Sequence, residues 1–136
     1  MLRGLVSTSA RTTVVDLEAG LEHLSRGTAR HVDTLLLIAE PYFKSLEAAQ
    51  RSYVLATDLG IARISLVANK IRSPRDETTV REFAGRHHVP VAGVVPYDPA
   101  VVEADEQGVA VMDRRPDASS VEAIRRLADQ LLTAPA

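Results

Sequence analysis

Residues Thr34–Ala39 read TLLLIA and are followed at once by Glu40-Pro41. A short, continuous aliphatic run has no wet side, so it reads as a strand covered on both faces, the pattern of helix-flanked parallel sheets. The Glu-Pro pair ends it and opens a loop. Working outward, the same unit repeats. Ser45–Leu59 carries Leu46, Ala49, Tyr53 and Ala56 at helical spacing, with Gly60 at the position after the helix end. Arg63–Ala68 (RISLVA) is the next aliphatic strand and stops at Asn69-Lys70. Ser73-Pro74 then supplies an N-cap and a first-turn proline for a helix reaching about His88, whose buried stripe is Val80, Phe83 and Ala84.

A further strand is expected over Val91–Val95, closed by Pro96-Tyr97-Asp98-Pro99. A short acidic helix follows over Pro99–Glu106, then a small edge strand over Val109–Met112. Ser119–Leu132 closes the chain as an amphipathic helix with Val121, Ile124, Leu127 and Leu131 on one side. On the amino-terminal side, Thr12–Leu17 (TTVVDL) reads as a strand and Gly20–His31 as a region containing a helix, weakened at Gly27. Met1–Ser9 has the look of the tail of an element that starts further upstream. The alternation predicts an α/β fold of one domain over residues 1–136, a three-layer, mostly parallel sheet with helices on both faces.

Composition narrows the function classes. With 136 residues, 46% hydrophobic, the chain is sized for one aliphatic core, and aromatics are only 4%. A net charge of −2 with both signs interspersed gives no nucleic-acid footprint. There is no cysteine, so no disulfide framework, thiolate metal site or cysteine nucleophile. Neither a membrane span nor a signal-peptide pattern is visible, which makes a cytoplasmic protein the simplest expectation. His23, His31 and His87-His88 match no common metal spacing, and Ser7, Ser9 and Ser45 lie in no nucleophile elbow.

The polar residues worth weighing stand at the expected strand ends: Asp16-Leu17-Glu18, Glu40-Pro41, Asn69-Lys70 and Pro96-Tyr97-Asp98. In a parallel sheet these share the carboxyl rim, where ligands bind. An acid such as Asp16 there suits Mg²⁺ held through water, and it equally suits a helix cap. Asn69 carries a donor and an acceptor and can read a purine edge, or it can simply build a turn. Arg72 stands where the guanine-reading acid of an Asn-Lys-x-Asp pattern would be, which disfavours guanine and leaves adenine open. No G-x-x-x-x-G-K-[ST] or G-x-G-x-x-G is present to cradle phosphates.

The string Asp16-Leu17-Glu18-Ala19-Gly20-Leu21-Glu22-His23-Leu24, followed by Arg26-Gly27-Thr28, resembles the switch II segment of the CooC-type accessory ATPases of carbon monoxide dehydrogenase. Those belong to the MinD/ParA class of P-loop ATPases with a deviant Walker A motif (SIMIBI class). The resemblance continues through Val32-Asp33, Glu40-Pro41, Ser45, Asp58-Leu59-Gly60-Ile61, Val67-Ala68-Asn69-Lys70 and Pro96-Tyr97-Asp98. It corresponds to the carboxy-terminal half of such a domain, without the strand and Gly-Lys-Gly-Gly loop that hold the phosphates, and without the family's Cys-x-Cys site.

The resemblance implies ATP and Mg as cofactors, with Asp16 holding a Mg-bound water. It assigns Glu18, Gly20 and Glu22 to the catalytic switch segment that senses the γ-phosphate. Asn69 and Lys70 then lie at the adenine, with Pro96 and Tyr97 closing over it. It implies as partners an amino-terminal half or a second copy, and a nickel metalloenzyme client served by nickel insertion. Because Walker A is absent, the isolated chain is expected to be inactive as an ATPase. The competing expectation is a non-catalytic interaction module, or a degenerate truncated paralogue, that keeps the fold without nucleotide chemistry.

Overall fold

A computed structural model describes residues 12–17, 27 and 31–133. The aliphatic runs form β1 (Thr34–Ala39), β2 (Arg63–Ile71) and β3 (Val91–Pro96). They pair in parallel in the order β1-β2-β3. β1 and β2 run in unbroken register from Thr34 opposite Arg63 to Ala39 opposite Ala68. The connections are α1 (Phe43–Asp58) and α2 (Pro74–Arg86), and after β3 come α3 (Pro99–Glu106), α4 (Val111–Arg114) and α5 (Ser119–Thr133).

Side chains of each strand alternate between two cores. Leu37 and Ala39 of β1, with Ile64, Leu66 and Ala68 of β2, pack with Leu46, Ala49 and Ala56 of α1 and with Val80, Phe83 and Ala84 of α2. On the other face Val67 and Val95 pack with Ala123 of α5, joined by Leu36, Ala92 and Leu127. The three layers expected from the sequence are therefore present. α5 sits so close to β3 that a Cβ built on Gly93 would lie 3.3 Å from Leu127 Cδ1.

Helix ends follow local chemistry. Ser73 Oγ accepts the Asp76 N–H, and Asp76 Oδ2 accepts the Arg72 N–H, so two donors at the start of α2 are satisfied. α1, α2 and α3 each end with paired backbone bonds of the Schellman type. In α1 these are Ile61 N–H to Ala56 O and Gly60 N–H to Thr57 O. Gly60 and Gly108 take the left-handed conformation this requires in α1 and α3, but in α2 it falls on His88, at φ 57°.

Two expected strands do not form. Thr12–Leu17 is irregular and pairs with no strand among the described residues, and Thr12–Asp16 is exposed. A β-branched run becomes a strand only with a ladder partner and a covered face, and Val14 at 90% exposure has neither. Val109–Met112 is not an edge strand either. Val109 N–H closes α3 on Ala104 O, while Asp113 and Arg114 N–H turn onto Ala110 O to make α4. Those backbone donors are thereby unavailable to a sheet. The expected Gly20–His31 helix, apart from Gly27 and His31, and the Met1–Ser9 segment lie outside the described residues.

Candidate functional site

β2 runs three residues beyond the expected Ala68, and the extension decides the geometry of the rim. Ile64, Leu66 and Ala68 face one core, so strict alternation would send Lys70 there next. Instead Ile71 is buried in that core and pairs with Pro96, while Ala68 pairs with Val94. Three steps on β2 thus match two on β3, a bulge centred on Asn69-Lys70. Lys70 absorbs the extra residue at φ 54°, a left-handed conformation unusual for a side-chain-bearing residue. The phase slip keeps an isoleucine in the apolar layer and turns the ammonium out.

Turned out, Lys70 Nζ donates to Glu40 Oε1 at 2.7 Å, joining the carboxyl ends of β1 and β2. The hydrogen bond and charge of Glu40 raise the Lys70 pKa above its ordinary value. Glu40 is itself held, its N–H donating to Ser45 Oγ at 2.9 Å from the first turns of α1. Asn69 is half-buried beside this pair. On the β3 side, Tyr97 N–H donates to Ile71 O at 2.8 Å, which fastens the Pro96-Tyr97 loop to the end of β2. The Arg72 guanidinium carbon lies 4.7 Å from the centroid of the Tyr97 ring, a cation–π contact.

Asp98 ties together two helices beyond β3. Its Oδ1 accepts the Ala100 N–H at 3.0 Å, capping α3, and its Oδ2 accepts Ser120 N–H at 3.0 Å and Ser119 Oγ–H at 2.9 Å, capping α5. The Ser120 and Ala100 N–H groups favour the ionised carboxylate and hold its pKa at about 2, below the ordinary 3.8.

The structure thus brings Glu40, Asn69, Lys70, Pro96 and Tyr97 together on one rim, as the strand-end reading expected. Asp16 does not end a strand, is exposed, and makes no hydrogen bond or ion pair with the other described residues. Glu18, Gly20 and Glu22 lie outside the described residues. Sequence reading missed the bulge, the Glu40–Lys70 pair and the double cap. The first had a signal: in Leu66-Val67-Ala68-Asn69-Lys70-Ile71 the next large aliphatic falls three residues after Ala68, out of phase with a period of two. Among the described residues no group of three or more His, Asp or Glu side chains is placed to hold a metal. At the opposite end of the sheet a concavity of about 460 Å³ is lined by Thr34, Tyr53, Pro90 and Leu131, and it gathers no such constellation.

Comparison with known proteins bears on the fold. The chain is 36% identical over 116 residues, 85% of its length, to the carbon monoxide dehydrogenase accessory protein CooC of Rhodospirillum rubrum. Over that stretch the chain is homologous to part of CooC. It spans 43% of that relative's length. The chain is also 36% identical over 108 residues, 79% of its length, to an uncharacterised ATP-binding protein of Methanocaldococcus jannaschii, of which it covers 42%. Its fold superposes on a ParA family ATPase of Chlorobium tepidum with a TM-score of 0.67 at 23% identity, covering 84% of this chain and 46% of that one. It superposes likewise on the septum site-determining protein MinD of Pyrococcus horikoshii, solved with Mg-ADP, with a TM-score of 0.61 at 19% identity, covering 74% and 42%. Over the part that superposes, the chain therefore has the parallel-sheet fold of these MinD and ParA family proteins. No family model matches the sequence. Among the described residues no helix is long and apolar enough to cross a membrane.

Proposed function

We propose that this chain forms the adenine-side wall of an ATP site of the CooC type, and that its Asp16–Thr28 segment supplies the Mg-side and switch residues. The observation that supports this most directly is the rim itself. A half-buried asparagine sits on a bulge at the carboxyl end of a parallel sheet, and the Pro96-Tyr97 loop is fastened beside it. The residues present fit a purine base. Asn69 offers a donor and an acceptor, Tyr97 offers a ring, and Arg72 adds only donors. When bound, ATP would bring its own phosphates, with Mg²⁺ held through water by Asp16. Glu18, Gly20 and Glu22 would sense the γ-phosphate. Lys70, next to Asn69, is paired with Glu40.

The phosphate end is not furnished by any glycine-rich motif in these 136 residues. We therefore place this domain as the carboxy-terminal half of a nucleotide-binding unit, completed by an amino-terminal half or by a second copy, and inactive in ATP turnover by itself. The client in this reading is a nickel metalloenzyme of the carbon monoxide dehydrogenase type, in the cytoplasm. The chain has no cysteine, so nickel is cargo handled through the completed assembly and not through a thiolate site here. The competing reading is an interaction module without nucleotide chemistry, favoured by the exposed Asp16.

The two are separated by titrating the chain with adenosine while following the Asn69 side-chain amide and the Tyr97 ring by NMR. Adenine-side binding predicts saturable shifts at both, at a dissociation constant on the order of millimolar, since no phosphate contacts contribute. Absence of shifts at saturating adenosine refutes the nucleotide reading in favour of the interaction module.

A further inference from the structure

Glu40 and Ser45 carry no role in reading a base, yet Ser45 is tied to Glu40, and Glu40 to Lys70, the neighbour of the residue that does. Lys70 holds a backbone conformation that side-chain-bearing residues avoid, near the carboxyl end of a strand in which Ala68 and Ile71 are fixed in the core. The bulge has to exist, because the alternative phase would put an ammonium into an aliphatic layer. Its shape is a separate matter. The extra residue can be taken up at Asn69 or at Lys70, and here it is taken up at Lys70, at φ 54°.

We propose that Glu40 is a positioning residue for the base site. Its ion pair with Lys70 selects the left-handed conformation at Lys70 and so orients Asn69, and Ser45 holds the Glu40 backbone for this task. The proposal rests on the adenine-side reading above.

Three observations carry it. The pair is short, 2.7 Å, and joins two strands across 30 residues of sequence, so it reports on the relative position of the two strand ends. It is also half-exposed, and exposed pairs contribute little to global stability. Its effect is therefore on a local choice between two backbone shapes, where a small bias is enough. Finally, the Glu40 backbone is anchored, its N–H donating to Ser45 Oγ at 2.9 Å.

The test uses the whole chain, Glu40→Gln, Lys70→Gly and the double variant, with adenosine and with purine riboside, which lacks the 6-amino group. Glycine adopts the left-handed conformation without cost, so Lys70→Gly makes the pair unnecessary. Glu40→Gln is expected to weaken adenosine about threefold, the size of an exposed ion pair's bias, and to leave purine riboside unchanged. In the Lys70→Gly background Glu40→Gln is expected to change nothing. The positioning role is overturned if Glu40→Gln weakens both nucleosides equally, weakens neither, or acts equally in both backgrounds. Adenosine that fails to shift Asn69 in the unsubstituted chain overturns the adenine reading itself, and the role with it. Failure of the role alone, with Asn69 still shifted, is thus told apart from failure of the site.

Discussion

Replacing Asp98 by alanine removes one carboxylate and uncaps two helices. Oδ1 serves α3 through Ala100 N–H, and Oδ2 serves α5 through Ser120 N–H and the Ser119 hydroxyl. A lost N-cap costs about 1 kcal/mol, so two predict a loss of about 2 kcal/mol. The same hydrogen bonds hold the carboxyl at about 2, below the ordinary 3.8. Because the folded-state pKa is depressed, this contribution is complete above the ordinary value and fades as pH falls from 3.8 through about 2. Urea unfolding of the chain and of Asp98→Ala, near pH 7 and at about pH 2.5, measures both effects. The gap between them is expected to be about 2 kcal/mol near neutrality and to narrow at the acid pH. Asp98→Asn, which keeps one acceptor, is expected to lose about half as much. A gap under about 0.5 kcal/mol at neutrality, or one that does not narrow in acid, would refute the double-cap argument.

Other expectations are simpler. Asn69→Ala should weaken adenine nucleotides in a complemented assembly by about 1–3 kcal/mol through unpaired base-edge groups, with no preference for GTP; competition titration checks both. His88→Gly should stabilise the chain by about 0.5–1 kcal/mol in urea melts, because φ 57° at the end of α2 is strained for histidine and free for glycine. Gly93→Val should cost about 1–3 kcal/mol, since even its Cβ would stand 3.3 Å from Leu127 Cδ1 and the added methyls push α5 off β3; Gly93→Ala should cost less, because the end of a leucine side chain can give way. The purified chain should release no phosphate from ATP above background, and steady turnover in a phosphate-release assay would overturn the account of its phosphate end.

How much of the molecule is legible in its sequence depends on the range over which each feature is determined. Thr34–Ala39, the spacing of Leu46, Ala49, Tyr53 and Ala56, the Ser73-Pro74 start and Gly60 are local signals, and the strands and helices they mark are where the sequence predicts them. A run of aliphatic residues or a cap carries its physical cause within a few neighbours, so sequence alone suffices. It also places Glu40, Asn69 and Tyr97 on one rim, since parallel strands put all their carboxyl ends on one side. Thr12–Leu17 fails as a strand because strand formation needs a partner that no run of valines encodes. Only the tertiary structure decides the rest. The bulge at Asn69-Lys70 arises because β2 must match β3 while keeping Ile71 in the core, a condition involving three elements at once. The Glu40–Lys70 pair spans 30 residues, and Asp98 reaches 21 and 22 residues ahead to Ser119 and Ser120. Those contacts exist only after the sheet and its helices have packed, and they set the shape of the rim on which any base would rest.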